Sequence, residues 1–137
     1  MLERIADRVR LGDREEEMSQ VAMKLTEIAF FTDHVPQMTD FYRRLLGADP
    51  VASSESLAIF LLNGTKIFIH YKYAPKDGEL PPENHHASSV QDIDQACEEL
   101  IQRGMVLEMP PQDYYWGRSA YLRDPDGHLL EITKSEK

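Results

Sequence analysis

An internal repeat constrains this chain more than any other feature. Residues 25–31, Leu-Thr-Glu-Ile-Ala-Phe-Phe, form a short apolar-rich run closed by Thr32-Asp33, the pattern of a strand buried on both faces. Pro36 suits a first helical turn. Met38, Phe41, Tyr42, Leu45 and Leu46 then recur at three- and four-residue steps up to Gly47, which can close a helix. After a polar bend at Ser53-Ser54-Glu55-Ser56, residues 57–62 and 66–73 are β-rich runs joined through Asn63-Gly64, the dipeptide favoured in tight hairpins. The second half repeats this order. Residues 85–90 read as a strand, and Ile93, Ala96, Cys97, Leu100 and Ile101 as the apolar stripe of a helix ending at Gly104. A loop containing Pro110-Pro111 leads to a strand over residues 119–123, the turn Asp124-Pro125-Asp126-Gly127, and a last strand over residues 129–133. The distances from Glu27 to Gly47 and from His85 to Gly104 differ by one residue, as expected of two copies of one unit.

With 137 residues the chain has the size of one domain and can bury a core without disulfides. Its single cysteine, Cys97, falls in a helical stretch and has no internal partner, which predicts a reducing, cytoplasmic setting. Met1-Leu2-Glu3-Arg4 lacks the apolar run of a signal peptide, and no later segment is apolar enough to span a bilayer. Acidic residues outnumber basic ones 24 to 15, a formal charge of −9 that repels phosphate backbones and argues against nucleic-acid partners. Residues 1–22 read as a charged extension with Leu2, Ile5 and Val9 at helical spacing, ahead of a single domain over 23–137.

Within that domain, Phe41-Tyr42-Arg43-Arg44-Leu45-Leu46-Gly47 resembles the FY-x-x-x-LG helix end of the vicinal-oxygen-chelate superfamily, the glyoxalase, bleomycin-resistance and dioxygenase group. Val90-Gln91-Asp92-Ile93-Asp94 resembles its V-x-D-h-D pattern. The run Tyr121-Leu122-Arg123-Asp124-Pro125-Asp126-Gly127-His128, followed by Glu131, resembles its DPDG-h-x-h-E pattern. The resemblance covers about residues 25–133. It implies an α+β fold of two tandem βαβββ modules, about residues 24–77 and 83–134, curled around a shared cleft, and a homodimer.

In metal-using members the ligands come from the first and last strand of each module, which nominates Glu27, His85 and Glu131 here. Imidazole and carboxylate donors suit Zn²⁺, Ni²⁺, Mn²⁺ or Fe²⁺, and three ligands leave positions open for two substrate oxygens. Strand alternation places Glu27 with Ala29, and His85 with Ala87 and Ser89, on a common side beside small residues. The fourth position is less regular. Four residues after its turn glycine the second module has Glu131, whereas the first has Phe68, and His70 lies two residues further. Two residues of strand amount to about 6.6 Å, so His70 joins the ligands only if a bulge shifts the hairpin register.

Tyr114, Tyr115, Trp116 and Arg118 form an aromatic stretch closed by a cation, in the loop that covers the cleft mouth in relatives, and are the expected substrate contacts. The leading expectation is a glyoxalase I-like enzyme whose divalent ion polarises adjacent oxygens of a small substrate, with Glu131 or Glu27 taking a proton. An extradiol-type dioxygenase is the alternative enzyme, and it would need His70 for a two-His, one-carboxylate set. A metal-free, resistance-type protein that sequesters a cationic small molecule is the alternative from another class.

Overall fold

The computed structural model describes residues 22–135; the stretch carrying Leu2, Ile5 and Val9 lies outside the described residues. The first module runs β1 (Lys24–Thr32), α1 (Val35–Leu46), β2 (Ala52–Ser53), β3 (Leu57–Leu62) and β4 (Thr65–Tyr71). The second runs β5 (His85–Val90), α2 (Ile93–Gln102), β6 (Leu107–Tyr114), β7 (Gly117–Arg123) and β8 (Leu129–Lys134). All eight strands join one sheet in the order β2-β3-β4-β1-β5-β8-β7-β6. The fold is therefore α+β, with two βαβββ modules meeting edge to edge. Their first strands, β1 and β5, pair antiparallel at the centre. On either side each first strand pairs parallel with the last strand of its own module.

Alternation along these strands separates the two faces of the sheet. On one face Ala58, Phe60, Ile67 and Ile69 pack with Val35 of α1. On the same side Ala120, Leu122 and Ile132 pack with Ile93, Ala96 and Cys97 of α2. Both helices therefore cover one side and leave the other free to form a cleft. The chain reversal in the first hairpin needs positive φ at two successive residues, which Asn63 (φ 50°) and Gly64 (φ 87°) supply. Gly47 closes α1 in the left-handed conformation, its N–H donating to the Arg43 carbonyl at 2.9 Å. Asp92 opens α2 by accepting from the Gln95 N–H at 3.1 Å.

Three expectations are corrected. Pro110-Pro111 lies within strand β6 and not in a loop. Proline cannot donate to a ladder, but β6 is an edge strand and its pairing with β7 shifts register between Leu107 and Met109 and again between Met109 and Gln112, so the prolines sit where the ladder is already interrupted. The apolar stripes are also narrower than periodicity suggests. Phe41 and Leu45 of α1 are 51% and 64% exposed, and Ile101 of α2 is 55% exposed, because each helix rests on the sheet along one line only. Finally, β4 ends at Tyr71, two residues short of Tyr73. Among the described residues no helix is long and apolar enough to cross a membrane.

Candidate metal centre

The cleft face carries the chemistry. Glu27 pairs with Ala87 across the β1–β5 ladder, and Ala87 pairs in turn with Glu131 across β5–β8. His85 precedes Ala87 by two residues and shares its face. Small Ala87 and Ala29 leave the space into which the larger side chains converge. As a result, Glu27, His85 and Glu131 each present a ligand atom within 4.8 Å of the others.

Each group is oriented. His85 Nδ1 lies 2.8 Å from the Glu83 carbonyl, which can only accept, so Nδ1 carries the hydrogen and Nε2 is turned into the cleft. Nε2 is 3.1 Å from Glu131 Oε1. The other oxygen, Oε2, accepts from Ser119 Oγ at 2.7 Å, Tyr121 OH at 3.2 Å and Trp116 Nε1 at 3.3 Å. Burial works to push the Glu131 carboxyl up, but the bonds from His85 and Ser119 outweigh it and hold it below the ordinary carboxylate range. Burial likewise opposes charge on His85, yet the Glu131 bond and the Glu83 carbonyl prevail and raise its pKa. Glu27 is raised, first by burial and then by the negative charge of Glu131.

These features suit a cation. Two carboxylates crowded into a half-buried site repel one another, and a divalent ion removes that repulsion. Two atoms bound to one ion at about 2.0–2.1 Å stand roughly 3.0–3.4 Å apart, and His85 Nε2 and Glu131 Oε1 already meet that spacing. A histidine that donates its second N–H to a carbonyl is the usual arrangement of a metal-binding imidazole.

The remaining expected residues divide. The β1–β4 register runs unbroken from Glu27↔Lys66 to Thr32↔Tyr71, with no bulge to bring His70 inward. Phe68 therefore occupies the position matching Glu131. The His70 ring packs against Phe31, Tyr71 and Tyr73 outside the three-residue group, its Nδ1 donating to the Tyr71 carbonyl at 2.8 Å. Tyr114 and Trp116 stack at 4.4 Å and line a cavity of about 40 Å³ beside His85, together with Phe31, Tyr73 and Glu79. Tyr115 is 86% exposed and does not line that cavity. Arg118 shares the helix face of β7 with Ala120 and Leu122, where it pairs with Asp94 of α2 at 2.8 Å and with Asp113 at 3.1 Å. The cation at the end of the aromatic stretch thus points away from the cleft. Ser119 and Tyr121 escaped the sequence reading, although alternation on β7 and the short Asp124–Gly127 turn were enough to set Tyr121 opposite Glu131.

The model of the Glyoxalase/Bleomycin resistance protein/Dioxygenase superfamily matches residues 24–132. The chain belongs to that superfamily. Among curated relatives, the superfamily chain described here is 28% identical over 127 residues to the uncharacterized protein YraH of Bacillus subtilis (strain 168), covering 82% of this chain and 98% of that one. It is 26% identical over 113 residues to metallothiol transferase FosB of Shouchella clausii, covering 79% of this chain and 77% of that one. Among solved structures, methylmalonyl-CoA epimerase from Mycobacterium tuberculosis superposes with a TM-score of 0.62 at 19% identity, covering 88% of this chain and 92% of that one. This last likeness shows the shared fold.

Proposed function

We propose that this superfamily member is a divalent-metal-dependent enzyme of the glyoxalase type, acting on a small substrate with adjacent oxygens. The observation that carries the reading is the convergence of Glu27, His85 and Glu131 within 4.8 Å, with His85 also lining an adjacent cavity walled by aromatic rings. When bound, a divalent ion supplies Lewis-acid polarisation of neighbouring substrate oxygens, which eases loss of a proton beside a carbonyl. The protein does the rest. His85 is held in its ligating tautomer by the Glu83 carbonyl, and Glu131 is fixed through three donors to Oε2. Fixed in this way, Glu131 cannot swing toward a substrate carbon, so Glu27 is the carboxylate that takes the proton. Tyr114 and Trp116 supply an aromatic wall beside His85 against which a small substrate would lie. The extradiol reading loses its second histidine, since His70 stands outside the group.

Similarity to metallothiol transferases supports a second reading, transfer of a thiol to a small molecule at the same centre. One experiment separates the two. Metal-loaded protein is incubated in D₂O with 2-hydroxy ketones, with 2-oxoaldehyde–thiol adducts, and with a free thiol together with a small electrophilic acceptor. Deuterium incorporation beside the carbonyl, lost in Glu27→Gln, supports the proton-transfer reading. Thiol consumption without exchange supports the transferase. Tight, metal-independent ligand binding with neither reaction supports a sequestering protein and overturns both.

A further inference from the structure

Glu131 is the one buried charged residue among the described residues, 4% exposed, and its two oxygens live in different environments. A carboxylate oxygen has two in-plane lone-pair sites. Oε2 receives three donors, Ser119 Oγ, Tyr121 OH and Trp116 Nε1, so none of its capacity is left for an ion. Oε1 has no such cradle and faces His85 Nε2. Two of the donors are themselves buried. Ser119 is 1% exposed and Tyr121 8% exposed. Trp116 Nε1 is shared between Glu131 Oε2 and Ser119 Oγ, each at 3.3 Å, while its ring stacks on Tyr114 at the cavity wall.

We infer that Ser119, Tyr121 and Trp116 are positioning residues which restrict Glu131 to a one-oxygen metal ligand through Oε1 and so keep coordination positions open for substrate. The inference rests on the metal-centre reading above. It treats the β6–β7 hairpin as part of the metal site, with the indole joining the wall of the cavity to the ligand's far oxygen. If Oε2 were released, Glu131 could rotate and bind through both oxygens, filling a position that substrate needs. Because Trp116 is the sole tryptophan, its emission reports directly on the ligand it touches.

The test uses chelator-stripped full-length protein titrated with Co²⁺ and Zn²⁺. Wild type is compared with Ser119→Ala, with the near-isosteric Tyr121→Phe and with Trp116→Phe. The readouts are affinity by chelator competition, the visible Co²⁺ spectrum and, in the proteins that keep Trp116, tryptophan emission. The expected result is Co²⁺ binding by wild type with a change in Trp116 emission. Ser119→Ala and Tyr121→Phe should give Co²⁺ spectra altered toward a higher coordination number, with an affinity that departs from wild type by about 10-fold or more, the scale on which outer partners of a ligand act. Should Ser119→Ala fail to fold, Tyr121→Phe carries the test, since it removes one oxygen and no bulk. Wild-type affinity and an unchanged Co²⁺ spectrum in variants that fold would overturn the inference while leaving the metal centre standing. Failure of wild type to bind either ion would overturn both.

Discussion

Phe68 occupies in the first module the position that Glu131 occupies in the second. Phe68 pairs with Ala29 across the parallel β1–β4 ladder, just as Glu131 pairs with Ala87 across β5–β8. The two modules thus share a backbone plan but supply unequal chemistry, and the cleft gathers three ligating side chains where strict symmetry would allow four. The missing donor is replaced by an aromatic ring, which keeps that side of the site open and apolar.

Phe68→His should therefore add a fourth ligand. Competition titration with Zn²⁺ should show tighter binding by roughly tenfold, the equivalent of about 1.4 kcal/mol. Any metal-dependent activity should fall, because an open position is filled. Unchanged affinity would mean that the two modules are not equivalent at this position.

The charges at the centre set a pH dependence. His85 is raised above its ordinary 6.5 and Glu27 above its ordinary 4.5, so each contributes stability at low pH that is lost as pH rises through its folded value. Glu131 is lowered and works the other way, losing its contribution as pH falls below 4.5. The metal-free protein should then be most stable in mildly acidic solution and lose thermal stability as pH rises past 6.5. Bound metal displaces the protons from His85 and Glu27, so the rise in Tm on adding Zn²⁺ should grow between about pH 5 and 8. A Zn²⁺-induced shift independent of pH would contradict the assignment of these residues as ligands.

Ile132 and Ile101 test the packing. Ile132 is fully buried between the second half of the sheet and α2, whereas Ile101 is 55% exposed on the outer side of that helix. Ile132→Ala should cost about 2–5 kcal/mol in denaturant unfolding. Ile101→Ala should cost under about 1 kcal/mol, even though both residues fit an apolar pattern in the sequence.

Much of this molecule was legible before any coordinates. The Asn63-Gly64 turn, the Asp124–Gly127 turn and the recurring strand–helix–hairpin order are local signals, and local signals defined the modules. Strand alternation also sufficed to aim Glu27 and His85 to one side. What could not be read locally depended on tertiary context. Pro110-Pro111 looks like a loop until β6 is known to be an edge strand with an interrupted ladder. Arg118 looks like a cleft cation until its parity on β7 sets it against Asp94. His70 depended on whether a bulge existed, and the continuous β1–β4 register shows none. The support of Glu131 by Ser119 and Tyr121 required counting across the last hairpin, a step that the ligand types alone do not prompt.

The proposed centre holds one divalent ion between Glu27, His85 and Glu131. Elemental mass spectrometry of protein purified without chelator, in parallel with His85→Ala, tests it most directly. Close to one equivalent of a transition metal per chain is expected in wild type, with loss of that metal in a folded His85→Ala variant. Wild-type protein that stays metal-free after incubation with Zn²⁺, Ni²⁺, Mn²⁺ and Fe²⁺, or a His85→Ala variant that keeps its full metal content, would contradict it.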